Sequence, residues 1–201
     1  MFSHTNKKLP SLQGKRIGVI GLGPRCGATH ISLSIGNFIS DFLKFRVCLK
    51  EINSHGDFNE ICRYLGRAGS DEGDFIFHRV SYYPFLPADK SLSRLTDSFD
   101  CTVMDLGCSM DSAREALELC DYRIVVGMGA CWREKEFSQL TPLFTGDSDL
   151  SNWILYINLG TPSQIKYYKK LGFATYAFPF EPDPFNPCEA SKIIMEKSLT
   201  N

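Results

Sequence analysis

Seven apolar runs, KRIGVIG, FRVCLKEI, FIFHRVSYY, DCTVMDLG, YRIVVGMG, WILYINLG and TYAFPF, recur along the chain, and segments with helical spacing separate them. A strand that faces water on one side alternates apolar and polar residues, whereas a continuous apolar run has both of its faces covered. The pattern therefore predicts an α/β fold: a doubly wound, mostly parallel sheet of about seven strands with helices on both faces. The stretch Ala28–Leu43 places Ile31, Ile35, Phe38, Ile39 and Phe42 on one face, as a helix packed on a sheet requires. Further helices are predicted over 57–65, 111–120, 132–140, 163–171 and 187–197, with Asp57, Asp111 and Ser163 as N-caps. The region 66–98 is the least regular, with breaker-rich loops around one strand. At 201 residues the chain suits one domain, read as a flexible N-terminal segment over 1–13 and a single domain over 14–201.

Composition excludes several classes. Net charge is −1, and the 22 Lys and Arg are scattered along the chain, so no footprint for nucleic acid or an anionic membrane is expected. The first ten residues carry charge without a following apolar stretch, and no run approaches 18 apolar residues. The expected location is therefore cytoplasmic. Eight cysteines without a C-x-x-C pair, several inside apolar patterns, read as reduced core thiols. The four histidines lack metal-ligand spacing relative to them, and neither a G-x-S-x-G elbow nor an H-E-x-x-H pair occurs.

In a parallel sheet, ligands collect beyond the carboxyl ends of the strands, so the loops there carry the functional reading. The first is GLGPRCGAT at 21–29, where Gly23 and Gly27 permit close backbone approach and the N–H groups of Gly27, Ala28 and Thr29 open a helix whose positive end attracts phosphate. Gly23, Pro24, Arg25, Cys26, Gly27, Ala28 and Thr29 are the candidate phosphate contacts. The Thr29 hydroxyl is a candidate Mg²⁺ ligand, or an ordinary first-turn threonine. A Walker A loop, G-x-x-x-x-G-K-[ST], would have Gly at Leu22 and Lys at Ala28. Arg25 is the one cation within the loop. The same G-x-G also resembles a dinucleotide fingerprint, but Cys26 stands where that motif wants its third small residue, and Glu51 lies beyond the expected acidic position.

Four later loops add candidates. Glu51 ends the second apolar run, and Asn53, Gly56 and Asp57 follow. Glu51 could orient a water or hold a magnesium-bound one, and a strand-end Glu is equally at home in solvent. Asp105, before Gly107, is placed like a Walker B aspartate that reaches Mg²⁺, or like a residue capping the next turn. Asn158 ends another run, where its amide could read a base edge or form a turn. Pro179 and Glu181, in AFPFEPDPFNP, could form one wall of a base pocket.

Taken in order, these loops resemble the MinD/ParA family of deviant Walker ATPases, within the P-loop NTPase superfamily, over roughly residues 14–198. LGPRCGAT aligns with the family's KGGVGKT-like loop with its length intact, but Gly23 stands at the signature-lysine position and Ala28 at the Walker lysine. Glu51, Asn53, Gly56 and Asp57 fall on a D-x-D-P-Q-G-N pattern. DLG at 105–107 falls on the Walker B aspartate and switch, Asn158 on the Asn of a turn near adenine, and FPFEPD on the closing I-P-x-D element. The resemblance implies ATP or ADP with Mg²⁺ as cofactor, Asp105 and Thr29 as metal-side residues, and a homodimer or assembly machinery as partner. The two missing lysines imply weak or absent nucleotide binding and a loss of several powers of ten in phosphoryl transfer, judged by the roughly 10³–10⁵ that one arginine finger supplies. Such a degenerate member is an impaired or inactive ATPase that acts in localisation, assembly or scaffolding. The loop is also similar to that of TadZ-type pilus-assembly proteins of bacteria, localisation factors whose extra N-terminal receiver-like domain has no room in this length. The competing readings are an active ATPase with Arg25 and Glu51 as catalytic residues, a Rossmann-type NAD(P)-binding protein, and a pseudo-enzyme whose loop is closed and binds no cofactor.

Overall fold

The structure, a computed structural model, describes residues 12–66, 73–84, 99–141 and 150–199. Its elements in chain order are β1 (Lys15–Gly21), α1 (Ala28–Leu43), β2 (Val47–Glu51), α2 (Asp57–Tyr64), β3 (Phe75–Phe77), β4 (Val80–Tyr83), β5 (Cys101–Asp105), α3 (Met110–Glu118) and β6 (Tyr122–Met128). A run of 3₁₀ turns, Cys131–Gln139, then leads to β7 (Trp153–Asn158), α4 (Pro162–Lys170), β8 (Ala174–Phe178) and α5 (Glu189–Leu199).

The strands form one sheet in the order β3-β4-β2-β5-β1-β6-β7-β8. Every pairing is parallel except that of β3 with β4. Side chains alternate through the sheet, so each strand feeds two cores. Ile17, Val19, Ile124, Val126 and Tyr156 pack with residues of α1, α2 and α5 on one face. Ile20, Val125, Leu155 and Ile157 pack with residues of α3, the 3₁₀ run and α4 on the other. In the dinucleotide-binding order 3-2-1-4-5-6 the first two strands are neighbours. Here β5 separates β1 from β2, which removes the Rossmann-type alternative.

Three details differ from the expectations. The sheet has eight strands where about seven were expected, because FIFHRVSYY turns back on itself at His78 and Arg79, whose φ values of 47° and 68° make a hairpin of β3 and β4. The N-caps are Gly56, Ser109 and Thr161 instead of Asp57, Asp111 and Ser163. Thr161 forms a capping box with Gln164, which the TPSQ sequence offered two residues ahead of Ser163. Of the segment read as flexible, residues 1–11 lie outside the described residues, while Leu12 is a core residue, 1% exposed. Most of the two breaker-rich loops, at 67–72 and 85–98, also lies outside the described residues.

Helix α1 ends at Lys44, an exposed residue in the left-handed region (φ 60°, ψ 26°) where glycine is free of the Cβ penalty. Lys44→Gly is expected to stabilise the fold by about 1 kcal/mol, a rise of roughly 2–4 °C in Tm for a domain of this size, read by thermal denaturation. An unchanged or lower Tm would show that the turn tolerates its lysine without strain.

Candidate functional site

The parallel register brings the carboxyl ends of three strands together. Val19 of β1 and Glu51 of β2 both stand opposite Asp105 of β5, on the face covered by α1 and α2. The loop 22–27 then crosses from β1 to α1 and is held from several sides. The Gly21 N–H donates to the Gly107 carbonyl at 2.8 Å, and the Leu22 N–H to the Val126 carbonyl at 2.8 Å. Asn158 Nδ2 donates to the Cys26 carbonyl at 2.7 Å, and an Arg133 guanidinium nitrogen to the Pro24 carbonyl at 2.6 Å. Gly21 has no room for a Cβ because the Cys26 sulfur fills that space. Gly27, at φ 99°, turns the chain into α1 with the Asn158 amide against its Cα.

The result is a cleft of about 450 Å³ lined by the backbone of 23–30 together with His55, Asp57, Gly107 and Cys108. Gly23, Pro24, Arg25, Cys26, Gly27, Ala28 and Thr29 all line this cleft. His30 and His55 also line the cleft, and His30 Nε2 is buried without a hydrogen-bond partner. His30 stands in the first turn of the helix after the loop. Cys26 is buried, and burial raises its thiol above the usual range, so it is a packing group and not a nucleophile.

Three carboxylates lie close to the cleft, of which Asp57 lines it and Glu51 and Asp105 are buried behind it. Glu51, 1% exposed, accepts the Asp57 N–H at 2.7 Å, so this strand-end carboxylate caps the start of α2. Asp57 in turn accepts the Thr29 hydroxyl at 3.2 Å. Asp105 is fully buried, with Oδ1 accepting the Gly107 N–H at 3.1 Å while Oδ2 has no partner. Burial raises the Asp105 carboxyl above its ordinary value, and the Asp57 charge adds to the rise; the Thr29 hydroxyl and the Gly107 N–H pull the other way. A buried carboxylate with one bare oxygen beside a helix-start hydroxyl fits a hard cation with oxygen ligands. Thr29 and Asp105 are the residues that would hold Mg²⁺, with Asp57 beside them. The cation would supply positive charge beside these carboxylates.

The remaining candidates are placed elsewhere. Arg25 is exposed, with φ 59°, at the lip of the cleft. Arg133, a cation that sequence reasoning passed over, touches the loop from outside, but it is 2.8 Å from Glu136, whose carboxylate lies directly over Gly23. Asn158 spends its amide nitrogen on Cys26 and does not line the cleft. Glu181 accepts the N–H groups of Asp183 at 3.2 Å and Cys188 at 2.7 Å, and Pro179, on the same segment, also lies outside the cleft lining. Burial alone would raise the Glu181 carboxyl, yet the Cys188 N–H and its neighbours hold it below the ordinary value, as befits an organiser of the turn before α5.

No family model matches the sequence, and no curated protein matches it. Solved structures do match over nearly the whole chain. A ParA family ATPase from Chlorobium tepidum has a TM-score of 0.59 at 15% identity, covering 93% of this chain and 97% of its own. The MinC:MinD cell division protein complex of Aquifex aeolicus gives 0.64 at 14%, covering 92% and 94%. Cobyrinic acid a,c-diamide synthase from Mycobacterium smegmatis, with bound ADP and magnesium, gives 0.55 at 12%, covering 91% of both chains. The chain has the P-loop NTPase α/β fold of MinD- and ParA-type ATPases, as the order of its loops implied.

Because the Asp105 carboxyl is raised in the folded state, the stability it contributes is complete below its unfolded value near 3.9 and is lost as pH climbs through the native value. Asp105→Asn keeps the acceptor for Gly107 and removes the charge. In metal-free buffer at pH 7–8 it is expected to raise Tm by roughly 2–4 °C and to flatten the decline of stability with rising pH. Millimolar Mg²⁺ is expected to stabilise the parent chain and not the variant, as measured by differential scanning fluorimetry. A variant less stable than its parent throughout this range would contradict the assignment.

Proposed function

We propose that this protein is a degenerate relative of the MinD/ParA ATPases that holds ADP or ATP weakly through Mg²⁺, hydrolyses it little, and works through protein contacts as a localisation or assembly factor. One observation supports the reading: residues 23–29 line a cleft near a buried carboxylate, Asp105, that has one unpartnered oxygen, while Gly23 and Ala28 stand where the resemblance places the two lysines. Phosphoryl transfer needs positive charge fixed around the γ-phosphate, and its removal is costly. Here Glu136 covers Gly23, Arg133 is engaged with Pro24 and Glu136, and Arg25 lies exposed at the rim. Binding of a phosphate near these carboxylates then depends on the divalent cation more than in a loop with its lysine.

Protein contact is supported by the same edge of the sheet. Trp132, Leu159 and Phe180 follow β6, β7 and β8 in turn and are 82%, 72% and 85% exposed. Large exposed apolar residues at the ends of adjacent strands suit an interface, with a second copy or with assembly machinery. Among solved structures of this fold is a MinD complex with MinC. No described helix is long and apolar enough to cross a membrane.

Thermal stability with and without nucleotide tests the binding half, since a ligand of the native state raises Tm by mass action. MgADP and MgATP at millimolar concentration are expected to raise Tm, and EDTA to abolish the shift. Ala28→Lys is expected to enlarge it. Steady-state turnover is expected at or below about 10⁻³ s⁻¹, the scale of an unassisted P-loop GTPase, and Arg25→Ala is expected to leave it unchanged. Magnesium-dependent turnover abolished by Arg25→Ala would establish the active-ATPase alternative instead. No shift with any nucleotide, in the parent or the lysine variant, would mean a closed loop.

A further inference from the structure

The far edge of the sheet carries a second groove, of about 690 Å³, formed where β8 pairs with β7 alone among the described strands. α4 packs into the core on one face of the sheet through Tyr168, and α5 into the core on the other through Met195. The groove therefore runs along the free side of β8, with a helix on either bank. Lys166, Lys169 and Lys170 rim it from α4 and Lys197 from α5, all exposed, while Tyr176 and Ile194 contribute apolar lining. Lys169 Nζ stands 5.6 Å above the Tyr176 ring. No carboxylate lines the groove among the described residues. Cations dispersed in a chain of net charge −1 are thus gathered by the fold at one edge.

We propose that this groove docks an extended, acidic segment of a partner protein, which pairs its backbone with the open edge of β8. Edge pairing supplies main-chain hydrogen bonds, and pockets beside the strand read alternate side chains. The rim of one sign selects Asp and Glu for the outward positions and raises the rate of encounter. The apolar lining takes the alternate residues. Duplex nucleic acid and a lipid surface use cations spread on an open face and have no use for a strand edge flanked by two helices, so a peptide fits better. Lysines also guard edge strands against unwanted pairing, and that simpler role predicts no binding at all.

The test is selection of random decapeptides displayed on phage against the full chain, followed by fluorescence anisotropy with the leading peptide. Selected peptides are expected to be enriched in Asp and Glu alternating with β-branched or aromatic residues. The triple variant Lys166→Glu, Lys169→Glu, Lys170→Glu, with unchanged circular dichroism, is expected to weaken binding roughly tenfold or more, from the summed loss of three partly screened pairs. N-methylation of alternate backbone nitrogens of the peptide is expected to weaken it at least as much. Selection without acidic enrichment, an N-methylated peptide bound as well as its parent, or tighter binding of duplex DNA or phosphatidylserine vesicles that the triple variant abolishes would each overturn the proposal.

Discussion

The central position of β1, hydrogen-bonded to β5 on one side and β6 on the other, is the constraint on which the site rests. A parallel strand in that position delivers its carboxyl end between two others, and the backbone bonds continue past it, from Gly21 to Gly107 and from Leu22 to Val126. The loop has little freedom after that. Leu22, wholly buried, takes the place of a glycine in the usual phosphate loop and plugs the second core. Cys26 fills the space above Gly21, and Asn158 fixes the Cys26 carbonyl from β7. The loop keeps its shape through neutral packing and backbone bonds.

Its electrostatics are another matter. In a P-loop with its lysine, cation and phosphate define each other, and the aspartate of the Walker B strand works against a positive background. Here that lysine is absent. Glu51 is committed to the start of α2, Asp57 to the Thr29 hydroxyl, and Asp105 keeps one oxygen bare in a buried setting. Buried charge of that kind is costly unless it is paired or coordinates a metal. A divalent cation bound there would relieve that cost. Binding and catalysis separate on this basis: one cation suffices to attract a phosphate, but the transition state needs several fixed charges around it.

The sequence disclosed the architecture better than the roles. Continuous apolar runs separated by helical spacing identified a covered parallel sheet, and α1 was legible to the residue from Ala28 to Leu43 because its apolar stripe and the Gly27 turn agree. The hairpin of β3 and β4 was hidden since its turn uses His78 and Arg79 at positive φ, where a glycine would have announced it. Strand-end polar residues were found in every case, but their partners were not. Glu51, Asn158 and Glu181 each looked like a ligand-facing group and each bonds backbone, to Asp57, Cys26 and Cys188. A polar residue at a strand's carboxyl end is needed as much to hold the loops that form a site as to face its ligand, and sequence position cannot separate the two. Arg133 and Glu136 were missed because they act from a 3₁₀ run more than 100 residues away from the loop.

The same reasoning applies to the cations at the far edge. Lys166, Lys169 and Lys170 share one side of α4 by ordinary helical spacing and look like a solvated face. Only the fold, which sets α4 on one side of β8 and returns α5 on the other, turns them into the rim of a groove with a strand at its floor. The fold thus sorts charge by location: carboxylates at the carboxyl ends of β2 and β5, and lysines along the last strand, which pairs only with β7 among the described strands. A chain nearly neutral in sum thus separates buried carboxylates from exposed lysines about one sheet.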